Sequence, residues 1–348
     1  MKLLIIISSF TLGVLIGIAG GVNRPKAIWW KVLAVVLPVA GAWLSIYPRV
    51  AASLQELDII SKYIANEPVP TLIYISDNQL HTDEASNQTY MQVHGLEDFS
   101  DKPHKIYIDK KNHEIITKYN KWVVNLLAAP NSKDVKLAEI VQHNPWITYP
   151  YVMSLGDRIK ILNFHVPMAW VAVLSYFISM FFSIRYLISP NYKFDVMAAS
   201  AAALGTVFAI LATASGMVWA KFNWGSFWNW DPRETSIFVL LLIYFAYFAL
   251  RAGIEREDLR ANSSGVYSII AFVTVPFLVF VLPRITSGLH PGSQGGDMGG
   301  PILSTSKGML DSQLMFAFGL SVMGFTLLYF WMLNLSIRTN LIKKKIGD

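Results

Sequence analysis

The stretch 196-VMAASAAALGTVFAILATASGMVW-219 decides the fold: 24 consecutive residues without one charged side chain. A hydrocarbon core about 30 Å thick is crossed by roughly 17–25 apolar residues, because a helix rises about 1.5 Å per residue and satisfies its own backbone polar groups. This run has that length. Working outward, six further runs of the same kind lie at residues 3–19, 27–46, 166–184, 235–250, 266–282 and 314–335. Two are weaker. The run ending at 46 carries Lys31, whose long side chain can snorkel to the interface, and the run from 235 is short unless Pro232 to Glu234 begin the helix. With 53% hydrophobic and 15% charged residues in 348, the composition is that of a polytopic membrane protein.

Cations in the short loops orient such a chain, because Lys and Arg are retained on the cytoplasmic side. One set of alternate loops holds Arg24, Lys26, Lys31, Arg185, Lys193, Arg251, Arg256, Arg260, Arg338, Lys343, Lys344 and Lys345; the other holds Lys221, Arg233, Arg284 and Lys307. The bias places the C-terminus and the basic tail 337–348 in the cytoplasm. Seven crossings then put the N-terminus, residues 49–160 and the loops around 224–234 and 285–311 outside. The first run, followed by the small residues Ala19, Gly20 and Gly21, also has the form of a signal peptide; the reading kept is an uncleaved anchor.

Residues 49–160 form a polar interval long enough to fold by itself. Runs rich in β-branched and aromatic residues at 71–76, 89–93 and 106–108 read as strands, 106–119 as a hairpin around a polar turn at 109–113, and 135–143 as a short helix. The expected organisation is two N-terminal transmembrane helices (1–48), an extracytoplasmic inserted α+β domain (49–160) and a five-helix membrane region (161–336). There is no cysteine, which excludes disulfides, thiolate chemistry, iron–sulfur ligation and a Cys-x-x-Cys-His attachment site. The net charge of +6 sits largely in the cytoplasmic loops and calls for no nucleic-acid partner.

The densest chemical signal is Asn223-Trp224-Gly225-Ser226-Phe227-Trp228-Asn229-Trp230-Asp231-Pro232-Arg233-Glu234-Thr235 at the outer end of the fourth run. An interfacial aromatic belt needs only one or two such rings per helix end. Four rings with a glycine among them, followed by an Asp-Pro helix start, instead suggest a flat apolar platform for a large planar ligand. Of seven histidines, His81, His94, His104, His113 and His143 are scattered through the inserted domain and read as ordinary surface residues. His165 and His290 fall at external helix ends. Taken singly, each reads as an interfacial hydrogen-bonding residue; together beside the platform they can supply two axial imidazoles to a haem iron. Zinc would lack its usual third and fourth ligands.

Trp224 to Asp231 resembles the tryptophan-rich "WWD" signature of the haem-handling proteins of cytochrome c maturation. Phe164-His165-Val166-Pro167 and Leu289-His290 are similar to the two histidine motifs that flank it in the CcmC-type haem exporter proteins, over roughly residues 157–335. The resemblance implies a six-helix family core from Ala27 onward and a b-type haem held transiently and non-covalently at the external face of a bacterial cytoplasmic membrane. His165 and His290 would be its axial ligands, and Trp224, Gly225, Phe227, Trp228, Trp230 and Asp231 would line it. It also implies a haem chaperone and other maturation membrane proteins as partners, among them an ABC-type release complex, and no chemical step of the protein's own.

The first helix and the enlarged 49–160 domain depart from that family pattern, as does Phe227 where many members have Trp. Residues 231–235 are also similar to CcsA-type synthases, which would act as haem lyases on apocytochrome c, but those add histidines within transmembrane runs and none occurs here. A haem-conducting transporter would need polar pathway residues in the membrane, and Lys31 is nearly alone there. Arg284, Arg233 and Arg158 are candidates to meet the propionates. Asp231 can cap the helix beginning at Pro232. The glycine-rich stretch 292–301 reads as padding or a lid, and Met298 within it as packing or a transient ligand.

Overall fold

The computed structural model describes residues 2–63, 67–77, 79–84, 86–95, 103–128, 135–152, 155–290 and 312–347. The glycine-rich stretch 292–301, with Met298, lies outside them. The chain divides into two compact units, Met1–Ile46 with Lys160–Asp348, and Tyr47–Ile159.

The first unit opens with helices α1 (Lys2–Ile18) and α2 (Ile28–Ile46). Their connection is tied down by polar groups that cannot remain bare among apolar neighbours. Lys26 Nζ donates to the carbonyls of Gly17 (2.8 Å) and Ala19 (2.7 Å), which are left without partners where α1 ends. Trp30 Nε1 donates to Ile16 O at 2.8 Å, and Asn334 Nδ2 from the far end of the chain reaches Val22 O and Arg24 O, each at 2.7 Å.

The second unit contains β1 (Arg49–Ala51), α3 (Leu54–Ile60), β2 (Val69–Ile75), β3 (His81–Thr82), β4 (Thr89–His94), β5 (His104–Tyr107), α4 (Lys110–Ile116), β6 (Lys121–Ala128), β7 (Val135–His143) and β8 (Thr148–Pro150). Six strands form one sheet in the order β2-β6-β7-β5-β4-β3, while β1 and β8 pair in parallel with Arg49 opposite Thr148. Trp122, Met91, Ile73 and Leu57 are buried in its core.

Two local expectations fail here. Residues 135–143 are a strand because antiparallel pairing with β6 and parallel pairing with β5 give their backbone groups partners on both sides, and such tertiary pairing overrides weak local preference. The hairpin expected at 106–119 is absent: β5 has β4 and β7 as neighbours, so the residues after it coil into α4 behind the N-cap position of Asp109. Trp122 Nε1 then donates to Ile116 O and Tyr119 O, both at 2.8 Å, closing the end of that helix.

The first unit resumes with α5 (Leu162–Ile188), α6 (Tyr192–Trp224), α7 (Pro232–Gly253) and α8 (Glu257–Pro276). A π-helical turn, Phe277–Val281, carries α8 into the short α9 (Leu282–Ile285), and α10 (Ser312–Gly347) completes the bundle. Among the described residues six helices are long and apolar enough to cross a membrane; α1, with 17 residues, is a shorter apolar helix. The weak run from 235 does begin at Pro232, and the basic tail from 337 to 347 continues α10.

Lateral cohesion comes from small polar groups on otherwise apolar faces, as membrane bundles require. Ser175 Oγ donates to Ala201 O at 2.7 Å and lies 3.0 Å from Tyr329 Oη, and Ser179 meets Ser268 at 3.1 Å. At one end of the bundle, Arg251 of α7 grips Asp195 of α6 through two bonds of 2.6 and 3.0 Å.

Candidate functional site

The site is assembled at the opposite ends of α6 and α7 from that ion pair. Gly225 ends α6 in the left-handed region, φ 79°, with its N–H on Lys221 O at 3.1 Å, while Lys221 Nζ donates to Gly225 O at 2.8 Å. Trp230 also has positive φ, 55°, a conformation that costs a bulky residue energy and must be held by its surroundings. The holding groups follow at once. Asp231 is the N-cap of α7 and Pro232 its first residue, and Glu234 closes a capping box, its Oε2 accepting from Asn229 N at 2.7 Å and Asp231 N at 3.3 Å.

Asp231 does more than cap. Its Oδ1 accepts from Arg233 N at 2.9 Å and from His290 Nδ1 at 2.8 Å, and its Oδ2 accepts from Leu289 N at 2.6 Å. The carboxylate is buried, 1% exposed. Burial alone would raise its pKa, but the His290 bond and charge and the two backbone donors outweigh that and hold it at about 2. It is therefore an anion that fixes His290 to the start of α7. Gly288 permits the approach, since a Cβ there would fall 2.5 Å from Asp231 Oδ2.

His165 is held by a neutral partner. It lies in the first turn of α5, with Nδ1 3.1 Å from Ser215 Oγ on α6. With the Ser215 hydroxyl proton on Ala212 O, 3.0 Å away, its oxygen accepts from His165 Nδ1–H. Gly216 lets the ring lie against α6, because a Cβ there would stand 3.0 Å from His165 Cε1. His165, His290 and Arg233 are near enough for their charges to interact, and Arg284 acts on Arg233 in the same way. The structure thus brings both sequence-selected histidines and two of the three candidate arginines into one neighbourhood. Arg158 belongs to the Tyr47–Ile159 unit.

The aromatic residues do not form the single flat platform expected. Trp219 stacks on His290 at 5.9 Å and 27°, while Trp224 meets the same imidazole at 4.9 Å and 70° and Trp219 at 86°. Trp228 and Trp230 cross at 90° and share Phe238 as a third ring, and exposed Phe227 lies under Lys221 Nζ. Ring quadrupoles favour such edge-to-face packing over a common plane. The result is an aromatic collar on His290 and a second cluster beside it.

Sequence reasoning missed Trp219, Ser215, Gly216 and Gly288. Only Trp219 carried a signal, as a tryptophan in the last turn of an apolar run that ends in the motif. Among the described residues no group of three His, Cys, Asp or Glu side chains could hold a metal ion alone. Elsewhere, His81 pairs with Asp77 at 2.9 Å and His143 stacks on Tyr119 at 4.3 Å.

A family model described as "CcmC: Heme exporter protein C" matches residues 116–348, two thirds of the chain. The chain belongs to the heme exporter protein C family. The matched residues contain α5 to α10, and hence His165, His290 and the whole tryptophan-rich segment; α1 and α2 lie ahead of the match. Among individual members of the family, "Heme exporter protein C" of Paracoccus denitrificans is 29% identical over 193 residues, 55% of this chain and 77% of the relative. The protein of the same name from Rhodobacter capsulatus is 32% identical over 144 residues, 41% of this chain and 60% of the relative. Similarity extends beyond heme exporter protein C to "Cytochrome c biogenesis protein CcsA" of Spinacia oleracea, 36% identical over 87 residues, a quarter of this chain.

Proposed function

We propose that this chain is a haem-handling membrane protein of cytochrome c biogenesis that holds haem at the extracytoplasmic surface and presents it to a haem chaperone. The observation that carries this reading is the pair of imidazoles anchored through Nδ1, each leaving Nε2 as a ligating atom, His165 against Ser215 and His290 stacked on Trp219 one turn further along α6. Haem fits that donor set. Two neutral nitrogen ligands suffice for an iron already held by four porphyrin nitrogens, whereas a bare metal ion would want more. Trp219 and Trp224 keep water from the His290 side, and Arg233 and Arg284 are cationic partners for propionates.

Binding in this reading is non-covalent and reversible, of the b type, since a chain without cysteine offers no thiol for thioether formation. The loop-charge bias supports a cytoplasmic C-terminus and an extracytoplasmic site in a bacterial cytoplasmic membrane. It likewise supports reading residues 49–160 as an extracytoplasmic α+β domain inserted after two transmembrane helices. Expected partners are a haem chaperone and other maturation proteins, including an ABC-type release complex. The similarity to CcsA favours a second reading, a haem lyase component acting on apocytochrome c, with the 49–160 domain as the place to receive it.

The test is the optical spectrum and haem content of the detergent-purified chain beside His165→Ala, His290→Ala and His81→Ala. A low-spin haem spectrum lost in the first two variants and kept in the third is expected. Equal retention in all three would remove the axial assignment. Copurification with a haem chaperone rather than an apocytochrome separates the first reading from the second.

A further inference from the structure

The two imidazoles have unlike supports, and this asymmetry carries a consequence for release. Behind His290 stands a buried, ionised carboxylate whose two oxygens accept from three fixed donors. Behind His165 stand the Ser215 hydroxyl and the Ala212 carbonyl to which that hydroxyl also donates, both neutral dipoles. A carboxylate accepting from Nδ1–H pushes electron density through the ring to Nε2 and makes it a stronger donor to a metal, and a hydroxyl does so far less.

On the reading that these two residues ligate haem, we infer that the axial positions are unequal: His290, backed by Asp231, is the retained ligand, and His165, backed by Ser215, is the one that yields to an incoming nitrogen base. In that exchange the bond from iron to His165 Nε2 breaks and a bond to the incoming base forms. Both ligands are neutral, no electron moves, and His165 keeps its Nδ1 proton on Ser215. Haem therefore stays tethered to His290 while the other face changes hands, which prevents its loss to the membrane between donor and acceptor. Asp231 acts here as a positioning residue, through the imidazole that it holds. Nothing in the helix-capping role of Asp231 requires this, because Asn caps a helix equally well.

The experiment uses the full chain in detergent, reconstituted with haem, and compares His165→Gly, His290→Gly, Asp231→Asn and Ser215→Ala. Haem content, spin state and the rate of haem loss to apomyoglobin are read. His165→Gly is expected to keep haem as a five-coordinate species that returns to low spin on adding imidazole. His290→Gly should lose haem at least about tenfold faster than His165→Gly, and Asp231→Asn should speed loss by about 10–100-fold while Ser215→Ala changes it little. Thermal melting of Asp231→Asn checks that the cap survives. Similar loss from both glycine variants, starting from a low-spin wild type, overturns the inequality and leaves the site intact. A wild type that shows no low-spin haem, or both variants unchanged, overturns the site itself.

Discussion

Substituting Gly288 by alanine tests the coupling between the α7 cap and His290 without touching either imidazole. A Cβ at 288 lies 2.5 Å from Asp231 Oδ2, 3.3 Å from Asp231 Cγ and 3.0 Å from Pro232 Cδ. The first of these is about 0.8 Å inside the roughly 3.3–3.6 Å at which carbon and oxygen ordinarily meet. Asp231 cannot retreat, since its backbone begins α7 and its Oδ1 holds Arg233 N. The movement must come from residues 288–290, which carry the Leu289 N–H and the His290 ring away from the carboxylate.

Losing one hydrogen bond to a charged group costs about 1.5–3 kcal/mol, and about 2 kcal/mol corresponds to roughly a 30-fold weaker haem affinity if the displaced group is a ligand. Haem titration of the purified chain, followed in the Soret band, measures this directly. Gly253→Ala is the control, because nothing stands within 4 Å of a Cβ there. Wild-type affinity and an unchanged low-spin spectrum in Gly288→Ala would refute the claim that this turn sets the position of His290.

Acid should weaken the fold through Asp231. Its folded pKa, about 2, is depressed below the ordinary 3.8, so its contribution is complete above pH 4 and lost as pH falls toward 2, an effect of about 2 kcal/mol that should vanish in Asp231→Asn when melting is followed against pH. At the other end of the bundle, Arg251→Met strands Asp195 with only 16% of its side chain exposed and should destabilise by about 3 kcal/mol in thermal melting. Haem affinity in that variant should match wild type, since the ion pair lies far along α7 from Asp231.

Hydropathy located each of the six spanning helices among the described residues because the bilayer imposes a length on each crossing. It could not see where helices continue beyond the hydrocarbon. The polar turns 257–265 begin α8 ahead of its apolar run, and the basic residues of α10 remain helical to Gly347. In the Tyr47–Ile159 unit the strands with strong β-branched runs were legible, whereas β7 was not, because it is defined by partners on both sides rather than by its own residues.

The site divides in the same way. His165, His290 and the tryptophans could be selected by type and position in the chain. Ser215 and Gly216 became visible only when α5 met α6, since 50 residues separate His165 from Ser215, and Asp231 lies 59 from His290. What a side chain is can be read along the chain; what stands behind it depends on which helix ends converge.

The parallel pairing of Arg49 with Thr148 has a bearing on engineering. Neighbouring strands lie about 4.8 Å apart, so the first strand of the Tyr47–Ile159 unit and its last run as adjacent threads of one small ribbon. A direct connector from residue 49 to residue 148 would therefore need to span only about one strand spacing. The Tyr47–Ile159 unit, with a core of its own, therefore opens and nears its end on adjacent strands.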